Sequence, residues 1–388
     1  MKISNFTLVL QFAASKIILI PPYMKSILNI LCTGCLLMVL VSGSPSARIR
    51  KPVDPVGFAT RSWQMDSVMK RIERLQGMKM NEALDNGNIQ KFMSWKLAIS
   101  PHDDYTYVGW LYPAILRNVK TQAVILLGVA HKAKKFNIEG RMVFDTYDYW
   151  QGPYGPVKVS ALREAIMNKL PRSSYIVSDS LQEAEHSVEA IIPFLQYYNK
   201  KVEIVSILIP AMSFPAMKSI SSSLADALYS LSQFNDRNLQ IGRDYSIVVS
   251  SDAVHYGCED WGGANYAFYG CDTAGYYKAV DHEFEIMRNC LLGQVTENKA
   301  LAFTQYTVQD TNYHSYKWTW CGRYSVPFGL LTLAQLEYSL RSMSSSGTLI
   351  GYSTSISQKP VPVSDIKMGT TAKATISHWV GYPGIGYR

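Results

Sequence analysis

Beyond residue 90 the apolar positions of this chain gather into short unbroken runs. Residues 95–100, 123–130, 202–209 and 246–250 are each nearly continuous in hydrophobic or small side chains, a pattern that predicts strands buried on both faces rather than half-exposed ones. Segments with helical spacing lie between and after them, at 159–170, 187–198, 216–231, 274–292 and 327–340. A further amphipathic helix is predicted over 62–75, where Trp63, Met65, Val68, Met69, Ile72 and Leu75 recur at intervals of three and four. Alternating strand and helix predicts the α/β class: a three-layer α/β/α domain on a mainly parallel central sheet. The tail, 344–388, is rich in Ser, Gly and Thr with short alternating pieces such as 348–353, which predicts edge strands. Neither a repeat nor a linker interrupts residues 90–388, so 48–388 reads as a single domain.

The first 47 residues have a different character. Lys25 is followed by an apolar stretch over 27–41 and by the small-residue sequence Ser42-Gly43-Ser44-Pro45-Ser46-Ala47, the order of a signal peptide, with an uncleaved N-terminal membrane anchor as the alternative. Translation can start at Met1 or Met24. The expected location is therefore exported, periplasmic or cell-envelope, with membrane contact only through this N-terminal segment. Four cysteines follow it, Cys258, Cys271, Cys290 and Cys321, and in an oxidising compartment Cys258 and Cys271 could close a loop.

Composition changes this picture little. At 47% hydrophobic and 18% charged the chain is a folding sequence, not a disordered one. The net charge of +8 is partly the leader's: with its three lysines set aside, 35 basic residues stand against 30 acidic ones. The densest basic cluster, Arg48, Arg50 and Lys51, lies directly after the leader, so a nucleic-acid partner is not expected.

The candidate chemistry lies where the predicted strands stop. One run ends in Ser100-Pro101-His102, a second in Gly128-Val129-Ala130-His131, a third in Ser250-Ser251-Asp252 with His255 three residues on. In open α/β sheets, ligands bind at the carboxyl ends of the strands. One such histidine is explained as a buried, hydrogen-bonded side chain, whereas several delivered to one rim point to a divalent metal. Asp103, Asp104, Glu185, Asp252 and Cys321 are candidates for a third ligand. Glu185-His186-Ser187-Val188-Glu189 precedes an apolar run and is expected to open a helix, its carboxylates complementing the helix dipole and His186 facing the rim. His282 and His378 read as structural, and His314 as part of an aromatic hairpin or a substrate wall.

Taken in order, Ser100-Pro101-His102 with Tyr105, Gly128-Val129-Ala130-His131, Glu185-His186-Ser187-Val188-Glu189 with Pro193-Phe194-Leu195, Ser250-Ser251-Asp252-Ala253-Val254-His255-Tyr256-Gly257 and Cys321-Gly322-Arg323 resemble the Memo-like family, which is related in fold to class III extradiol dioxygenases of the LigB type. The resemblance implies a LigB-like α/β/α fold. It also implies a divalent metal, iron first with copper or zinc possible, held by His102, His131 and Cys321, with Asp252, His255 and His186 as catalytic-like neighbours. The implied function is a metal-binding protein with an extradiol-dioxygenase-like pocket for a small molecule or peptide. Its alternative is a non-haem iron dioxygenase or other oxidoreductase acting on a small oxygen-rich substrate. In that alternative His255 moves the proton and Asp252 orients His255 or the substrate. The family's bacterial members also imply component B of the AmmeMemoRadiSam system and hence a radical-SAM partner, which fits poorly with export. The ring-cleaving relatives have a carboxylate where this chain has Cys321, and the chain departs from the family at two places: Asp103-Asp104 replaces Ala-Gly after the first histidine, and Ala130 and Lys132 stand where a Ser precedes and a His often follows the second. Asp103 or Asp104 is expected to add a ligand or to accept a hydrogen bond from His102.

Overall fold

A computed structural model of the chain describes residues 46–86, 93–234 and 238–388. The expected leader, residues 1–47, lies outside the described residues except for Ser46 and Ala47. No helix among the described residues is long and apolar enough to cross a membrane.

The continuous apolar runs form the centre of the sheet: β1 (Leu97–Ser100), β2 (Ala123–Val129), β3 (Glu203–Ile209) and β4 (Tyr245–Ser250). They lie parallel in the order β3-β2-β4-β1. Alternate side chains point to opposite faces, and both faces are covered. Leu97, Ile99, Ile125, Leu127, Ile207 and Val249 pack into one core with residues of α2 (Phe214–Phe234) and α4 (Ser325–Leu340). On the other side Ala98, Val124, Leu126, Leu208 and Val248 pack with residues of α1 (Ser62–Asn86) and of the short helix Ile192–Tyr198. The result is the expected three-layer α/β/α architecture on a mainly parallel sheet. Register brings the strand ends level: Ser100 pairs with Ser250, Ile125 with Ile247, and Val129 with Ile209. The residues just past them therefore share one rim.

Several elements differ from expectation for identifiable reasons. Helix α1 runs on past residue 75 because Met80 and Ala83 continue the buried face. The helix expected from 187 starts at Ile192. Glu185 and Glu189 do not serve its first turn: Glu185 takes the N–H groups of His131, His186 and Ser187, and Glu189 pairs with Arg50 and accepts from the N–H groups of Val53 and Asp54. The tail is not simply an edge. Strand β5 (Ser346–Thr354) lies near the margin, but β6 (His378–Tyr387) runs antiparallel between β1 and β5 and is buried throughout. Its glycines make this possible: a Cβ on Gly386 would come within 2.3 Å of the Trp95 ring. The first part of β6 also pairs with the strand His255–Gly257, His255 opposite Val380. Cys258 and Cys271 are joined in a disulfide, closing the loop that carries Trp261.

Candidate metal centre

His102 follows β1, His131 follows β2, and Asp252 follows β4. Cys321 arrives from the opposite end of the chain, just before α4, on a segment pinned by a bridge between Val254 and Trp320. The turn after it requires glycine, since a Cβ on Gly322 would sit 2.1 Å from the Ser251 hydroxyl. Behind this segment the buried carboxylate of Glu283, on α3 (Thr273–Ile286), accepts from the indole N–H of Trp320 at 2.7 Å and the backbone N–H of Val254 at 3.2 Å. It thereby ties the segment before His255 to the segment before Cys321.

The donor atoms of His102, His131 and Cys321 lie within 4.8 Å of one another. Cys321 Sγ is 3.6 Å from His102 Nε2 and accepts the Asp252 backbone N–H at 3.1 Å. Hydrogen bonds fix which ring nitrogen is available. Ser250 Oγ donates to the Ser187 carbonyl at 2.6 Å, so towards His102 Nδ1, 2.7 Å away, it accepts. Nδ1 carries the proton and Nε2 is left with its lone pair facing the sulfur. His131 Nδ1 meets the Glu185 carboxylate at 2.8 Å, which selects the same tautomer, and Glu185 Oε2 also accepts the His131 backbone N–H at 2.6 Å. Partners of this kind orient metal-ligating imidazoles.

The electrostatics favour neutral imidazoles at His102, His186 and His255. Burial, then the neighbouring histidines His131, His186 and His255, hold His102 well below its usual value. Burial and His131 bring His186 to about 4, and burial with His131 and His378 brings His255 to about 3. Burial acts upward on Glu185, but attraction and hydrogen bonding from His131 outweigh it and bring the carboxylate to about 2. The Cys321 thiol is pushed well up by burial and then by Asp252, so it is a thiol unless a cation displaces its proton. Burial, then repulsion from Asp103, likewise raises the Asp252 carboxyl well above the carboxylate range.

A cavity of about 600 Å³ brings the expected residues together: His102, His131, His186, Asp252 and His255 line it. Cys321 opens instead onto a second cavity of about 690 Å³, which shares His131 with the first. His186 lies parallel to His131 at a centroid distance of 4.9 Å and edge-on to His102 at 5.6 Å. Asp252 Oδ1 accepts the His102 backbone N–H at 2.9 Å. His255 is placed by β6, and its buried Nε2 has no hydrogen-bond partner among the described residues. The expectation for Asp103 and Asp104 is corrected. Asp103 accepts from Tyr382 and the Asp104 N–H, and Asp104 from Thr371, while Ser250 takes the place beside His102. His378, read from the sequence as structural, also lines the first cavity, its ring 4.1 Å from that of Trp261 and its Nδ1 3.1 Å from the Lys373 carbonyl. Ser250 stood inside a motif already singled out, but nothing in the residue string marks it as the acceptor.

The sequence pattern of the family described as Memo-like protein matches residues 68–367. A MEMO1 family protein of Pyrobaculum arsenaticum is 31% identical over 165 residues, covering 41% of this chain and 52% of that protein. One from Pyrococcus furiosus is 26% identical over 183 residues, covering 45% of this chain and 56% of the relative. A third, from Pyrobaculum aerophilum, is 28% identical over 165 residues. The chain spans about half the length of the curated relatives it matches.

Proposed function

The chain belongs to the Memo-like protein family, and on that premise we propose that it binds one divalent metal ion through His102, His131 and Cys321. Iron is the favoured ion, with copper or zinc as the other candidates. The observation that carries this reading is the convergence of the three donors within 4.8 Å, with both imidazole Nδ1 atoms already engaged. The spacing fits the chemistry: an ion about 2.3 Å from sulfur and about 2.05 Å from nitrogen, at a tetrahedral angle, sets those donors roughly 3.5 Å apart, and the Cys321–His102 separation is 3.6 Å. Two neutral imidazoles with one thiolate suit a borderline-to-soft divalent ion rather than magnesium or calcium.

A bound cation would act as a Lewis acid on an oxygen-bearing ligand. The chain's own residues supply the rest. His255, neutral and without a hydrogen-bond partner at Nε2 among the described residues, is placed to accept a proton inside the cavity. The Asp252 carboxylate braces the His102 backbone and its own N–H donates to the Cys321 sulfur, and His186 packs flat on His131. The unpartnered His255 also favours a second reading, a non-haem iron dioxygenase or other oxidoreductase in which this imidazole is the acid–base group. The proposal includes export: residues 1–47 read as a leader, and the Cys258–Cys271 disulfide is a bond that a reducing cytoplasm opposes.

Metal analysis of anaerobically purified wild type, Cys321→Ser and His131→Ala tests the site. Near one equivalent of iron in the wild type, lost in both variants, is expected; retention of full stoichiometry and affinity in Cys321→Ser would overturn the ligand set. Oxygen uptake with a panel of catechols separates the two readings, since activity abolished by His255→Ala selects the oxidoreductase.

A further inference from the structure

The two cavities that meet at His131 differ in their ionisable side chains. The first carries Asp54, Asp103, Asp104, Asp252 and Asp260, with Lys373, among its histidines. The second, about 690 Å³ in volume, has Arg323 and Lys134 on its walls, and its one acidic side chain, Glu139, lies 3.6 Å from His314 Nε2. Among the described residues neither Arg323 nor Lys134 has an ion-pair partner. The guanidinium is nonetheless held in place. Its carbon lies 3.5 Å from the centre of the Tyr316 ring and 4.8 Å from that of Tyr324, and Nη2 donates to the His314 carbonyl at 3.1 Å. Its buried Nε has no acceptor among the described residues, a cost that protein interiors rarely tolerate. Apolar side chains, Ile138, Ile209 and Ala211 among them, complete the wall, and His131 and Cys321 border the same space.

We propose that this cavity binds a small organic acid, its carboxylate on Arg323 and Lys134 and its apolar or aromatic body along Ile138, Ile209 and Ala211. The volume is that of a small-molecule site, and a guanidinium stacked on aromatic faces presents only its edge, where a planar carboxylate is recognised by paired N–H donors. The inference names a ligand class for the proposed metal centre and rests on that reading for its chemistry, not for its binding. Binding of the anion is a property of Arg323, and binding of the metal a property of Cys321 and His131.

Calorimetric titration of the wild-type protein with benzoate, and with benzamide as its uncharged analogue, tests the proposal. Benzoate binding that weakens with salt, little or no benzamide binding, and a loss of roughly ten- to hundred-fold in benzoate affinity in Arg323→Gln are expected. The metal content of Arg323→Gln is expected to equal that of wild type, and benzoate binding is expected to persist in Cys321→Ser. If Cys321→Ser keeps its metal while benzoate binding depends on Arg323, the metal reading fails alone and this one stands. Lys134→Gln, at an exposed position, provides the same test should Arg323→Gln not fold, with a several-fold loss expected. Equal affinity for benzoate and benzamide, no binding of benzoate up to millimolar concentration, or unchanged affinity in the folded variants would overturn the inference.

Discussion

Replacing Ser250 with alanine separates the metal ligands from the groups that aim them. In the wild type the Ser250 hydroxyl passes its proton to the Ser187 carbonyl at 2.6 Å and accepts from His102 Nδ1 at 2.7 Å; both partners are fully or almost fully buried. The substitution has two consequences of different kind. The Ser187 carbonyl loses its side-chain donor, with or without metal, and one buried unsatisfied group costs about 1–3 kcal/mol of fold stability. The His102 ring loses the acceptor that keeps its proton on Nδ1, so Nε2 is no longer guaranteed a free lone pair. Removing a partner of this sort costs roughly ten- to hundred-fold in metal affinity, equivalent to about 1.4–2.8 kcal/mol. The first effect is measured by thermal unfolding of the metal-free protein. The second is measured by competition of the folded protein against a chromogenic chelator, with cobalt or zinc as the probe ion. Ser250→Thr, which keeps the hydroxyl, should restore much of the affinity. An affinity for Ser250→Ala within twofold of wild type, in protein shown to be folded, would refute the tautomer reasoning and with it the role of Nε2.

Three further outcomes follow from the same geometry. Because burial and Asp252 keep the free Cys321 a thiol, metal binding through its sulfur should release that proton. The apparent affinity should therefore rise about tenfold per pH unit between roughly pH 6 and 8.5, a dependence that Cys321→Ser abolishes; a flat profile in the wild type would remove Cys321 from the ligand set. Glu283→Gln puts an amide N–H₂ where the indole and backbone donors converge, so it should lower stability by about 1–3 kcal/mol and weaken metal binding, both visible in melts with and without zinc. Asp104 is raised to about 8 by burial and then by Asp103. Its folded value lies above its unfolded one, so its contribution is present at low pH and lost as pH rises from about 4 through 8; Asp104→Asn should therefore be more stable than wild type at pH 8.5, by up to roughly a few kcal/mol, and equal or less stable near pH 4.

The parts of this molecule legible in its sequence are those where a single physical demand acts on consecutive residues. Strands β1 to β4 must be apolar at every position because both faces are covered, and that demand survives as unbroken runs whose last residues mark the rim. His102, His131 and Asp252 were found this way, without reference to any relative. Strand β6 is equally buried but carries the opposite signature. It must pass close to Tyr352, Leu111 and Trp95, so Gly381, Gly384 and Gly386 replace the bulky side chains that announce a strand, and the segment reads as a loose tail. The place of His378 beside Trp261 was hidden for the same reason, since it follows from where β6 enters the sheet.

Cys321 marks a stricter limit. Its nearest imidazole is 219 residues away along the chain, and only the Val254–Trp320 bridge, fixed from behind by Glu283, sets the sulfur beside Asp252. A local pattern cannot encode a meeting of that kind, so the residues alone left Cys321 one of five candidates for the third donor and only the resemblance singled it out. The same holds for its neighbour Arg323. On the chain it is one more base in a sequence with a modest positive excess, but in the fold it is a guanidinium held on two tyrosines with its Nε unanswered. The residues that define what this pocket does are therefore those placed by long-range contacts, and substitutions at Glu283 and Ser250, which touch no ligand, should be as informative about the centre as substitutions of the ligands themselves.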